Sequence, residues 1–173
     1  MMGYVWILAG AIALLQHSPS QHRNHYAGLE SRELKALSEE EVRGLREGEG
    51  MSMALVAELN HYPGPKHVLE LAAELELSSA QEEKVRGAFQ RMRAEAVRLG
   101  EEILAREREL QETFRSGGST EAARGLVVEI GRLRGELRWT HLRAHVEMRG
   151  ALSEGQRERY DRLRGYTLAS PEE

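Results

Sequence analysis

The chain of 173 residues contains no cysteine, which excludes disulfides, zinc ribbons and thiol nucleophiles. It contains a single aspartate, Asp161, so carboxylate dyads, calcium loops and phosphoryl-transfer metal sites lack their usual material. Aromatic residues are scarce, at 5% against 30% charged, a balance that suits helices around a thin core and disfavours a sandwich or barrel. No serine, threonine or lysine sits in a recognisable nucleophile context. A histidine seeking an orienting carboxylate would have to use a glutamate. The chain does not read as an enzyme.

Charge is present in quantity but nearly balanced, with 24 Lys and Arg against 28 Asp and Glu. Glutamates crowd Glu30 to Glu83 and arginines dominate Arg124 to Arg164. The arginines stand among glutamates at helical spacing, which describes solvated, ion-paired faces and no nucleic-acid stripe.

Met1 to Leu15 carries no charged side chain and then gives way to Gln16-His17-Ser18-Pro19-Ser20. Such a run is short for about 30 Å of hydrocarbon but suits the apolar region of an export signal, although no Lys or Arg precedes it. Residues 1–20 therefore read as an export signal, cleaved after Ala13 or Ser20, or else as an uncleaved anchor. Both place the remainder outside the cytoplasm, with a periplasmic location expected. Residues 21–37 read as a flexible leader; the polar stretch from Gln16 to Gly28 carries His17, His22 and His25, which could collect metal.

Helical signals then begin, and the domain is expected to span 38–166. Ser38-Glu39-Glu40-Glu41 has the form of a capping box for a helix to about Glu47. Met51, Met53, Leu55, Val56 and Leu59 suggest a brief helix, and His61-Tyr62-Pro63-Gly64-Pro65 breaks it. Lys66 to Leu77 shows a broad apolar face, with His67 in its first turn, where the helix dipole favours a neutral imidazole.

Leu77-Ser78-Ser79-Ala80-Gln81 and Leu152-Ser153-Glu154-Gly155-Gln156 share the pattern Leu-Ser-x-x-Gln: Ser78 and Ser153 as N-caps, Gln81 and Gln156 as their reciprocal partners. Neither Leu77 nor Leu152 completes a hydrophobic staple, because the fourth helical positions are Glu82 and Arg157, so the leucines are assigned to tertiary packing. After the first motif, Val85, Phe89, Met92, Ala96, Leu99 and Ile103 form a four-three seam on a long helix. Ser116-Gly117-Gly118-Ser119 makes a turn, and a second long helix from Thr120 to Ala151 carries Leu126, Ile130, Leu133 and Leu137. Gly131 and Gly135 on it allow a neighbour to approach closely. The fold class expected is all-α: a long antiparallel helical hairpin with short flanking amino- and carboxy-terminal helices, followed by a disordered tail at 167–173.

Late in the second long helix, His141, His145 and Met148 stand at i, i+4 and i+7 and share a face. Two imidazoles and a thioether suit nickel, cobalt, copper or zinc, the sulfur favouring copper(I), and His67 is a candidate fourth ligand. The alternative is a histidine pair that only packs at a helix interface.

The export signal, the helical hairpin and the two flanking motifs together resemble the periplasmic superfamily of Spy and CpxP, including its heavy-metal branch with CnrX and ZraP. The resemblance covers roughly Leu69 to Tyr166, with a CnrX-like local match around Glu147-Met148-Arg149, Leu152 and Tyr160-Asp161-Arg162. It implies an intertwined homodimer outside the inner membrane that either senses nickel or cobalt with a membrane signalling partner or holds unfolded clients without ATP. Met148 falls on the sensor's methionine. Ala144 stands where the sensor has a histidine, with His145 one position on; the sensor's glutamate falls near Phe89, and His67 lies close to an amino-terminal histidine position.

Overall fold

The structure, a computed structural model, describes residues 24–166. The export signal and the tail expected at 167–173 lie outside the described residues. The chain divides at Glu30 into two units. In the first, Asn24 folds a turn by accepting from the Tyr26 amide through its side chain and from the Ala27 amide through its carbonyl.

In the second unit, which begins at Ser31, every regular element among the described residues is a helix. These are α1 (Glu39–Glu47), α2 (Leu55–Glu58), α3 (Pro65–Glu70), α4 (Ser79–Arg115), α5 (Thr120–Ala151) and α6 (Glu154–Arg164). No described helix is long and apolar enough to cross a membrane. The ordered helical unit starts earlier than its capping box: Leu34 and Leu37, in the span read as leader, are buried with α1 and α4. Gln111 of α4 fixes this segment by accepting from the Lys35 amide and donating to the Glu33 carbonyl. An amide side chain anchoring an irregular backbone leaves no periodic trace in a sequence.

Capping follows the expected chemistry. Ser38, Ser78 and Ser153 each accept from the amide three residues on, and Glu41, Gln81 and Gln156 return the bond. Two short helices are shorter than their apolar pattern suggests. Met51 and Ser52 both take positive φ (40° and 60°), which delays α2 to Leu55. Beyond Glu70 the chain loosens into turns ending at Glu76, φ 52°, which buries Leu75 and delivers Ser78 to its cap.

The core is in two parts. One cluster joins Leu99, Ile103 and Leu104 of α4 to Leu133 and Leu137 of α5, covered by Val42 and Leu45 of α1. The other joins Val85 and Ala88 from the start of α4 to Met148 at the end of α5, with Leu152, Val68, Leu75 and Tyr160. α1 crosses α4 at Gly100, where a Cβ would stand 2.1 Å from the Leu45 carbonyl oxygen, so only glycine permits the approach.

The two Leu-Ser-x-x-Gln motifs bond to each other. Gln81 Nε2 donates to Gln156 Oε1 at 2.9 Å and Gln156 Nε2 donates to Gln81 Oε1 at 3.2 Å. The same amide nitrogens also donate to the carbonyls of Ala151 and Leu75. Each glutamine thus serves its own cap, its counterpart and a strand of connecting backbone. Substituting either by alanine should destabilise the fold by about 1–3 kcal/mol, and the double substitution should cost about 0.5 kcal/mol or more less than the sum. Urea unfolding of the four proteins measures this; additive losses would show that the two motifs act independently.

Candidate functional site

Between the two apolar clusters, at the level of Phe89 and Met92 on α4 and His141 and His145 on α5, lies a cleft of about 700 Å³. The Gly48–Met51 turn and α2 close one side, the Gly64–His67 segment another, and Arg164 and Tyr166, at and just past the end of α6, a third. Met92 of α4 and Ala144 of α5 are buried near this level.

Glu58 is the central side chain. It is only 8% exposed, and its Oε1 accepts from the Tyr160 hydroxyl at 2.6 Å and from the Tyr166 hydroxyl at 3.0 Å, with Arg164 Nε 3.5 Å away. Its Oε2 is buried and has no hydrogen-bond partner in the protein. The Tyr160 hydroxyl also accepts from the Gly64 amide at 3.3 Å, so one phenol ties the loop before α3 to the carboxylate. Burial and the adjoining carboxylate drive the Tyr160 phenol far above its ordinary value, so it stays a donor.

His145 has a fixed tautomer. Its Nδ1 lies 2.8 Å from the Tyr62 carbonyl oxygen, which can only accept, so Nδ1 carries a hydrogen and, in the neutral ring, the lone pair is on Nε2. The contact from Nδ1 to Glu58 Oε2 is longer, 3.6 Å. Room remains beside Nε2 because residue 64 is glycine: a Cβ there would stand 3.3 Å from His145 Nε2 and 3.4 Å from Glu58 Oε2. The Gly64–Pro65 segment is held in turn by its bond to Tyr160 and by the stacking of Arg149 on the Tyr62 ring, 4.5 Å to its centre.

His141 is 3% exposed, and its Nε2 is buried without a partner. Burial, and then the neighbouring His145, push its pKa below the ordinary imidazole value, so it is neutral near pH 7. His67 lines the same cleft. Its Nδ1 contacts Glu70 Oε2 at 2.9 Å and donates to that carboxylate, whose pKa is lowered chiefly by the bond, which leaves His67 Nε2 free.

The structure thus brings His67, His141 and His145 to one cleft and separates Met148 from them. Met148 is fully buried in the second cluster beside Val85 and Tyr160. It stands nearly a turn beyond His145, about 4.5 Å of rise, where the surroundings are the apolar cluster and no longer the cleft. The thioethers that do line the cleft are Met51 and Met92. α5 is a single helix across the whole stretch, as its periodicity suggests.

Glu58 and Arg164 were not marked by any sequence pattern, and Tyr160 was marked only through the local match at Tyr160-Asp161-Arg162, with no partner assigned to it. A glutamate in the apolar run Met53–Leu59, two residues from a proline-bearing turn, was the available signal, but nothing in a sequence tells a buried carboxylate from an exposed one. A second buried carboxylate, Asp161, 2% exposed, sits 2.9 Å from His61 Nδ1 without hydrogen-bond alignment. Burial raises the Asp161 carboxyl above its ordinary value, and Glu58 adds to this while His61 opposes it.

The donor chemistry suits a transition-metal ion: a buried carboxylate oxygen and a buried imidazole nitrogen without partners, and a second imidazole with its tautomer set by a carbonyl. The number of donors is low. Among the described residues no three His, Asp or Glu side chains are placed to enclose an ion together. No protein-family model matches the chain, and no curated protein and no solved structure matches it either.

A histidine buried neutral resists protonation, so its share of the stability is present above 6.5 and is lost as pH falls through its lower folded value. Asp161 acts in the opposite sense and in a more acid range that begins at 3.8: its share is fully present below that value and is lost as pH rises through its raised folded value. Metal-free protein should therefore lose thermal stability as pH is lowered from 6.5, and His141→Gln should flatten that part of the profile. Identical acid limbs in the two proteins would contradict the assignment.

Proposed function

We propose that this chain is an exported, periplasmic helical protein that binds a transition-metal ion in the cleft, in the manner of the heavy-metal branch of the Spy and CpxP superfamily. In this reading Glu58, His141 and His145, which line the cleft but do not enclose an ion as they stand, close on the ion as it binds, and His67 stands at the rim. The observation that carries this is the pair of orphaned buried atoms, Glu58 Oε2 and His141 Nε2, on two side chains that line one cleft. Leaving each of them unpaired costs about 1–3 kcal/mol, and a bound cation satisfies both together.

Several features of the framework agree with this reading. The core clusters pair the start of α4 with the end of α5, as a long antiparallel hairpin requires. The motifs that flank it bond to each other, which gives the recurring glutamine a physical task. Met148, the residue aligned with the sensor's methionine, is core here, so the ligand set is a variant of the one the resemblance implies, with Met51 and Met92 as the nearby thioethers. Arginines on α4 and α5 are ion-paired along their own helices, such as Arg98 with Glu95 and Arg132 with Glu129, which leaves little for nucleic acid.

Titration of the purified, metal-free protein with nickel, cobalt, copper and zinc, read by calorimetry, tests the proposal. One ion per chain should bind through the cleft, His141→Ala combined with His145→Ala should abolish that event, and Tyr160→Phe should weaken it about tenfold by freeing the Glu58 carboxylate. Binding unchanged in the double variant would sink the reading.

A second reading, an ATP-independent chaperone for unfolded proteins, is favoured by the outer face of α5. Val128, Trp139 and Val146 are 60%, 56% and 51% exposed there, and a Cβ at Gly131 or Gly135 would meet nothing. Opposite the buried stripe, this face suits unfolded segments or a second copy in a homodimer. Trp139→Glu should remove suppression of client aggregation, measured with a chelator present, if the face holds clients. If aggregation is not suppressed by the unaltered protein at several-fold excess, the chaperone reading falls.

A further inference from the structure

We infer that the cleft binds an aliphatic diamine, with one ammonium group against Glu58, the other against Glu47 and Glu49, and the methylene chain on the cleft's apolar wall. The inference needs the cleft alone and is independent of the metal-binding reading.

Three observations lead to it. Around Glu58, acceptors stand without donors. Glu58 Oε2 is buried with no hydrogen-bond partner, on a side chain 9% exposed, and in the neutral ring of His145 the Nε2 lone pair is a further acceptor. A Cβ on Gly64 would stand 3.3 Å from that nitrogen and 3.4 Å from that oxygen, so the absent side chain keeps open a space that both acceptors border. An ammonium brings three donors and no acceptor, which is the complement of such a space.

The second observation is where the charges on the cleft are committed. Lys66 lies 3.9 Å from Glu70, which is not part of the lining, and Arg164 lies 3.5 Å from Glu58 Oε1. Arg93 donates to the Glu47 carbonyl at 3.3 Å and has no carboxylate partner. Glu47 and Glu49 line the cleft as well, and neither has an ion pair among the described residues. Two free carboxylates thus stand against one free guanidinium, a balance that favours a cation. The third is the remainder of the wall: Met51, Leu55, Phe89 and Met92 are apolar, and about 700 Å³ falls in the range of sites for small organic molecules.

A diamine meets all three. Both of its amines are protonated at neutral pH, since their ordinary values lie near that of lysine, about 10.4. A monoamine would leave Glu47 and Glu49 unmatched, an inorganic cation would forgo the apolar wall, and an amino acid would bring a carboxylate against those two glutamates.

Calorimetry of the metal-free protein with putrescine and cadaverine tests this, with butylamine as the control that carries a single ammonium. At least one diamine should bind at one per chain and about tenfold or more tighter than butylamine, the margin of one further charge-assisted contact. Glu47→Gln combined with Glu49→Gln, both at exposed positions, should remove that margin and leave butylamine binding unchanged. Arg93→Gln should tighten diamine binding several-fold by removing the opposing charge. Glu58→Gln should weaken diamine and monoamine alike; because Glu58 also anchors Tyr160, the exposed glutamate pair carries the test if that variant does not fold. Equal affinities for diamine and butylamine, a margin that survives in the double variant, or no binding of either diamine would overturn the inference. Diamine binding by a protein that takes up no metal ion would uphold it and remove the metal-binding reading, and metal uptake without diamine binding would do the reverse.

Discussion

The arrangement depends on one reciprocal contact, the amide pair between Gln81 and Gln156. Each glutamine closes the cap of its own helix, so the pair couples the starting points of α4 and α6 to the end of α5. Once α6 starts there, Tyr160 lies two turns along it, in the second core cluster and against Glu58. Without that origin the phenol has no reason to meet a carboxylate more than a hundred residues earlier in the chain. The cleft is thus a consequence of helix capping carried across about 10 Å of helix.

The Glu58 carboxylate has a divided environment. One oxygen meets two phenols and an arginine, and the other is buried without a hydrogen-bond partner, 3.6 Å from His145 Nδ1. Such asymmetry fixes orientation: the donors on Oε1 hold the plane of the group, so Oε2 cannot turn away to find solvent. His145 is prepared in the same manner by the Tyr62 carbonyl. Both groups are held in place by neighbours, of which Arg164 and Tyr166 line the cleft themselves, the arrangement expected where orientation of ligands matters more than their number.

The framework was legible in the sequence because its determinants are local. Ser38, Ser78 and Ser153 announce helix starts through their spacing to a glutamate or glutamine, and the seam from Val85 to Ile103 announces a long packed helix. Other features were illegible for physical reasons. The backbone at Met51, Ser52 and Glu76 enters the left-handed region without glycine, which no propensity foretells, and so α2 starts late and the chain turns again before Ser78. Helical spacing placed His141, His145 and Met148 on one face, but a shared face does not imply a shared environment: the layer beneath changes from cleft to core between residues 145 and 148. Glu58 comes to the histidines through tertiary contacts alone, across intervals that no window of sequence spans.

The central claim is that Glu58, His141 and His145 face one bound ion. X-ray absorption at the metal edge of protein loaded with a single ion tests it most directly. The account predicts multiple scattering from two imidazole rings together with oxygen donors, and the loss of one ring's contribution in His145→Ala. A spectrum with oxygen scattering alone, or one that the substitution leaves unchanged, would contradict it.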